Sequence, residues 1–281
     1  MVSRKKKIVV NSLVLAVLFL GILVTWAYVN GQRHVSREDR LVKADEWDRI
    51  KTSKVITIGL DDTFVPMGFR NSKGELTGFD VDLANAVFGK MGIKVNWQPI
   101  DWSMKETELN TGNIDAIWNG YTATPDRAKQ VAFSTPYHQA TQVVVSLKKN
   151  NIEHFSDMKG KVLGDQTSSS GDDTLNQYPK LLKNYIKGGK PVGYDTFDKA
   201  FNDLNASRID GLLVDEDYAR YYVSHQAHPE DYQITYGDFP MSKDVVGMRK
   251  GDRGLKKAVD RGLRQMKANG QLQALEKKWF G

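Results

Sequence analysis

The densest chemistry in the chain lies in IDAIWNGYTATPDR, residues 114–127. A short apolar run ends near Trp118, and Asn119-Gly120 makes a turn. Thr124-Pro125-Asp126-Arg127 then starts a helix, with a capping Thr, Pro at the first helical position and Asp in the first turn. A helix start presents free N–H groups and partial positive charge, which suits an anion. Arg127 adds a planar fork of donors that matches a carboxylate. The helix dipole favours Arg at the opposite end, so its place here needs a reason; a solvated surface arginine is the plain alternative. GKVLGDQTSSSGDDTL, residues 160–175, repeats the device: a strand, a Ser-rich turn and a helix, with Ser170 as cap and Asp173 in capping-box position. RIDGLLVDEDYA, residues 208–219, ends a strand with Asp215-Glu216 at the edge where ligands of α/β sheets sit. Carboxylate-binding turns with Arg127, opposite Asp215, make a receptor for a zwitterion. Phe64 and Trp102, each in a loop after a strand, supply flat apolar walls or else pack in the core.

These residues need a scaffold, and the pattern from Val55 onward supplies one. Strands are predicted at 55–60, 94–97 and 114–118, with a helix at 81–91 that puts Ala84, Val87, Phe88 and Met91 on one face. The order then begins again: strand 161–165, helix 173–186, strand 192–194, helix 199–206, strand 209–214, and one or two amphipathic helices at 254–279. Two successive α/β units imply two lobes, and clefts between lobes are where small ligands bind.

The 281 residues carry 40 Lys+Arg against 34 Asp+Glu, a formal charge of +6, and no cysteine. Disulfides, thiolate metal sites and a lipid-modified cysteine are therefore excluded. Arg4, Lys5, Lys6 and Lys7 precede an uncharged, mostly apolar run at residues 8–29, long enough to span a bilayer with the N-terminus inside. Its 22 residues are long for a signal core, which favours an uncleaved anchor; small residues at Thr25-Trp26-Ala27 leave a cleaved signal as the alternative. Without residues 1–29 the chain holds 36 cations and 34 anions, so a nucleic-acid partner loses its main support. Residues 30–53 read as a polar linker that becomes helical toward Trp47 and Ile50.

From Val55 to Gly281 the chain resembles the extracellular solute-binding proteins, family 3, that serve bacterial ABC importers of polar amino acids. The resemblance rests on ordered motifs: IGLDDTFVPMGF, GELTGFDVDLANAV, GNIDAIWNGYTATPDRAKQVAFSTPY, GKVLGDQTSSSG, RIDGLLVDEDYA and the ending GLRQMKANGQLQALEKKWFG. It implies a two-lobe, periplasmic-binding-protein-like (type II) α/β fold with two crossover strands, closing like a hinged trap. Lobe one would be 54–141 plus 237–281, and lobe two 142–236. By the resemblance, Arg127, Thr122 and the backbone around Asn119 and Gly120 clamp a ligand α-carboxylate. Ser169 and Ser170 bind the same group from the second lobe, and Asp215 holds the α-ammonium. Phe64 and Trp102 enclose the side chain, Asp61 and Gln166 set selectivity, and Asp80 and Asp82 cap and orient a helix away from ligand. Asp165 and Ser168 depart from the family pattern, which has an apolar residue and a glycine there. Asp165 is then a pocket acid or only a strand end. A carboxylate from Asp61 or Asp165 facing the pocket favours glutamine, histidine or a basic amino acid over an acidic one. The implied partners are an amino acid and ABC permease subunits, with the membrane reached through the N-terminal run. The chain acts as a monomer on the extracytoplasmic side, needs no cofactor or metal and is not an enzyme.

Other classes leave weaker traces. The five histidines are His34, His138, His154, His225 and His228; only the last two are close in sequence, without an H-E-x-x-H or similar pattern. No G-x-S-x-G and no phosphate-binding G-x-x-x-x-G-K-[S/T] occurs. The same fold also resembles cyclohexadienyl-type dehydratases and ligand-sensing receptors, which stand as the alternative function.

Overall fold

The structure, a computed structural model, describes residues 45–281. The basic head, the apolar run at 8–29 and most of the predicted linker lie outside the described residues. No helix among the described residues is long and apolar enough to cross a membrane.

Two five-stranded sheets form the framework. In the first, the order is Lys94–Pro99, Val55–Leu60, Ala116–Ile117, Gly247–Met248, Ala132–Phe133. The first three run parallel, and Gly247–Met248 joins antiparallel from the far end of the chain. In the second, the order is Val192–Tyr194, Leu163–Gln166, Gly211–Asp215, Gln142–Leu147, Tyr232–Thr235. Its parallel strands come from the repeated β-α unit, and Gln142–Leu147 runs antiparallel beside Gly211–Asp215. The chain passes between the lobes twice, through His138–Ala140 and Ser242–Asp244, which pair with each other.

Apolar periodicity explains the covering helices. Phe79–Gly89 buries Phe79, Leu83, Ala84, Val87 and Phe88, and Arg253–Ala268 buries Leu255, Val259, Leu263 and Met266. Each of the larger side chains among these contributes roughly 1.5–3 kcal/mol on leaving water. The C-terminal segment is two helices, because Gly270 takes a left-handed conformation (φ 77°) between Arg253–Ala268 and Gln271–Phe280. One predicted helix is corrected: 173–186 is in fact Ser170–Gln177, followed by turns. Pro179 accounts for the stop, since it lacks an N–H and its ring disfavours helical backbone at Tyr178.

Candidate functional site

On the first lobe, Thr124 caps the short helix Pro125–Ala128 by accepting the Arg127 N–H at 3.3 Å, with Pro125 in the first turn. That cap turns Arg127 inward, where it is only 4% exposed. Its Nη1 donates to the Thr122 carbonyl at 3.0 Å and its Nη2 to the Ser168 carbonyl of the second lobe at 3.1 Å. The guanidinium lies over the Tyr121 ring at 4.7 Å. Glu106 and Asp173 stand 3.9 and 3.7 Å from Nε. Two of five donors are held by carbonyls, which fixes the fork and leaves donors for an anion. Thr122 departs from its expected place: it is not part of the cavity wall, and its carbonyl orients Arg127 while its hydroxyl points to Asp244 at 3.4 Å.

On the second lobe, the helix cap is Ser169, not Ser170. Ser169 Oγ accepts the Asp172 N–H at 3.2 Å and donates to Asp165 at 2.9 Å. The one-residue difference follows from Ser168, whose left-handed backbone (φ 62°) closes the turn where glycine would be the easier fit. Asp165 lies buried behind the turn rather than on the cavity, and burial holds its carboxyl well above the usual range. Gln142 ties this turn to the opposite charge, with Nε2 donating to Ser170 Oγ at 3.3 Å and to Asp215 Oδ1 at 2.6 Å. Burial, with Asp244 and Asp217 nearby, pushes the Asp215 carboxyl up to about 8.

The two halves close on a cavity of about 10 Å³ bounded by Asp61, Phe64, Trp102, Asn119, Gly120 and Arg127 from one lobe and Gln166, Ser169, Ser170, Phe197 and Asp215 from the other. Asp61 accepts from Thr63 N and Oγ1 at 3.0 and 2.7 Å, and across the cleft from Gln166 Nε2 at 2.8 Å. Gln166 is held in turn by the Asp195 carbonyl at 2.8 Å. Burial raises the Asp61 carboxyl above its ordinary value. Phe64 stacks on Tyr218 at 5.2 Å and leans on Phe197 at 5.7 Å, while Trp102 meets Tyr121 edge-on at 6.1 Å. Asn119 Oδ1 accepts the Asp61 N–H at 3.0 Å, and its buried Nδ2, which faces Gly68, has no partner among the described residues.

Asp80 and Asp82 do not cap the helix that begins at Phe79. Asp80 accepts the Gly120 N–H at 2.6 Å and the Tyr137 hydroxyl at 3.0 Å, so it braces the site turn from beneath, and burial raises its carboxyl to about 7. Asp82 instead receives Lys278 Nζ at 2.7 Å and Trp279 Nε1 at 2.9 Å, fastening the last helix to the first lobe. Gly120 itself has φ 54°, and a Cβ there would lie 2.8 Å from the Phe64 ring. Gly120→Ala is therefore expected to cost about 1–2 kcal/mol of stability and to displace Phe64. Thermal unfolding and ligand titration of the variant check this; unchanged values in both would disprove it.

Three participants were missed in the sequence. Phe197 follows a Thr196 helix cap, with no motif that sets it apart from ordinary core. Gln142 begins a crossover-fed strand with no motif around it. Lys105, 2% exposed, donates to the Trp102 carbonyl at 3.0 Å and shares the Ser168 carbonyl with Arg127 at 2.9 Å; burial and the neighbouring Arg127 lower its ammonium to about 8. Its only sequence signal was a cation one position before Glu106 in an otherwise polar helix. His225 and His228 are exposed and bond locally, to the Tyr221 carbonyl and Glu230.

Comparison with known proteins agrees with this geometry. The model of the bacterial extracellular solute-binding proteins, family 3, matches residues 56–281. The L-cystine-binding protein TcyJ of Escherichia coli (strain K12) is 30% identical over 237 residues, covering 83% of this chain and 85% of that protein. An ABC uptake transporter substrate-binding protein from Streptococcus pneumoniae, solved with bound histidine, is 45% identical with a TM-score of 0.83, covering 85% of this chain and 97% of the other. The ancestral amino-acid-binding protein AncCDT-1, a precursor of cyclohexadienyl dehydratase, is 30% identical with a TM-score of 0.74, covering 84% and 99%. A two-lobe α/β fold matched over nearly its whole described length leads to one assignment: the chain belongs to the bacterial extracellular solute-binding proteins, family 3.

Proposed function

We propose that the chain captures a polar amino acid between its lobes and delivers it to the permease of an ABC importer. One observation carries the reading: Arg127 on one lobe and Ser170 on the other offer donors to a carboxylate, and the acid Asp215 borders the same closed cavity, a pairing of opposite charges suited to a zwitterion. Asp61 and Gln166 between the walls Phe64, Trp102 and Phe197 favour a flat or extended side chain with donors, such as histidine, glutamine or arginine. An acidic side chain beside Asp61 would bring two carboxylates together in a dry site. The relatives named for histidine and cystine bind ligands with the same α-amino-acid head, which supports the class and leaves the side chain to measurement.

The rest of the reading follows from it. Residues 54–141 with 237–281 form one lobe and 142–236 the other, and the paired strands at 138–140 and 242–244 are the hinge. The chain acts as a monomeric receptor without catalysis or cofactor, on the extracytoplasmic side, tethered by residues 8–29. Calorimetric titration against the twenty amino acids and cystine tests it. Submicromolar to micromolar binding of at least one is expected, and binding of none would overturn the reading. Turnover of a cyclohexadienyl acid in an absorbance assay would move it to the dehydratase class.

A further inference from the structure

The helix Arg253–Ala268 buries one face and leaves Arg253, Lys257, Arg261, Arg264 and Lys267 exposed on the other. Their spacing of four, four, three and three residues keeps all five within an arc of about 120° along roughly 21 Å of helix. Several other exposed cations are matched with acids one turn away, as in Lys51–Asp48, Lys129–Asp126, Lys199–Asp195 and Arg220–Glu216. On this stripe none of the five has a carboxylate within 4.0 Å among the described residues. The helix's single acid, Asp260, is turned inward to Lys256 and the Thr135 N–H. The segregation is not a by-product of net charge, because residues 45–281 hold 32 cations and 32 anions. A solubilising face mixes signs; this one does not.

A groove runs beside the stripe, bordered by Lys90, Lys257 and Arg261 with Trp47, Met91 and Ala258. It thus offers cations over an apolar floor. The chain enters the described region at this same place: Asp45 accepts the Gly254 N–H at the start of the stripe helix, and Trp47 packs against Gly254. The sequence preceding Asp45 contains the apolar run ending near residue 29, and the intervening stretch reaches at most ~55 Å.

We propose that the stripe of Arg253, Lys257, Arg261, Arg264 and Lys267 docks on an anionic lipid headgroup surface. Charge complementarity selects the partner, since five unpaired cations on a flat helical face match a plane of phosphates. The adjoining groove accepts the headgroup and upper acyl region between Lys90 and Trp47. The stripe and its groove share no residue with the ligand cavity, so the site is independent of the amino-acid reading.

Because the chain lacks cysteine, single labels can be introduced cleanly. The full chain would carry an environment-sensitive fluorophore at Gln265→Cys, on the stripe helix, or at Lys187→Cys, exposed on the second lobe. It would be mixed with vesicles of phosphatidylcholine alone or with 30% phosphatidylglycerol. Expected is a blue shift of the Gln265 label in the anionic vesicles only, reversed by 0.5 M salt, with no change at Lys187. Arg261→Glu with Arg264→Glu should reduce the population in contact by about tenfold or more, while amino-acid titration stays as in the wild type. Equal signals in both lipids, an unchanged signal in the charge-reversed variant, or contact with a soluble acidic polypeptide in preference to the anionic vesicles would each overturn the proposal.

Discussion

Arg127→Ala is expected to remove nearly all amino-acid binding, by a few hundred- to a thousandfold, or on the order of 3.5–4 kcal/mol. The size follows from geometry. The guanidinium is buried, held by the Thr122 and Ser168 carbonyls and layered on Tyr121, so its remaining donors are aimed before any ligand arrives. Removing it leaves a ligand carboxylate half paired in a dry cleft, together with Asp173, which loses its ion-pair partner. It also deletes one of the bonds across the lobes, so closing itself weakens. Arg127→Lys keeps the charge without the planar fork and should fall between wild type and alanine. Calorimetry on wild type and both variants, with thermal unfolding to exclude collapse, measures this. Affinity within a few-fold of wild type in the alanine variant would move the carboxylate site elsewhere.

What was legible in the sequence was what is local. Thr124, Pro125 and Arg127 lie within four residues, and one helix start determines their relation, so the capped helix start was readable locally, while the inward role of Arg127 came only through the family resemblance. Asp215 was readable for a similar reason, as the last residue of an apolar strand. Capping chemistry also marked the Ser-rich turn, but the choice between Ser169 and Ser170 depended on one left-handed residue, Ser168, that no periodicity reveals. The contacts that span the cleft were less visible. Lys105 acquires its meaning from a carbonyl 63 residues away, and Asp61 meets Gln166 105 residues away. Phe197 was hidden by its type, since an aromatic at a helix start is ordinary core until the other lobe closes on it. Asp80 was seen as a helix residue when its partner is the Gly120 N–H, 40 residues on. Alternation of strands and helices gave the two sheets; the antiparallel insertion of Gly247–Met248 into the first sheet came from topology alone.

Affinity for the amino acid is expected to rise with pH, about tenfold per unit below 8, and to level off above it. The cause is Asp215. Burial first, and then the neighbouring Asp244 and Asp217, lift its carboxyl to about 8, against which Gln142 and Arg127 act only partly. Before binding at pH 7, this group therefore holds a proton for most of the time. A ligand ammonium placed against it favours the charged form and lowers its pKa in the complex. The complex then carries fewer protons than the free protein, so raising the pH favours binding until the free carboxyl is already ionised. Asp244, lifted to about 6 by burial, adds a weaker dependence at lower pH, moderated by His138, which bonds Asp217 at 2.8 Å. Titration with L-arginine or L-glutamine avoids side-chain titration of the ligand itself. At pH 7, repeating it in buffers of different ionisation enthalpy should reveal close to one proton released per ligand bound. Asp215→Asn should bind far more weakly and lose the slope between pH 6.5 and 8, because the amide cannot take up the role of a titrating counter-charge. A wild type whose affinity is flat from pH 6 to 8.5 would mean that the ammonium pairs with another group. An Asp215→Asn variant that keeps the wild-type slope would assign the proton to Asp244 or Asp80 instead.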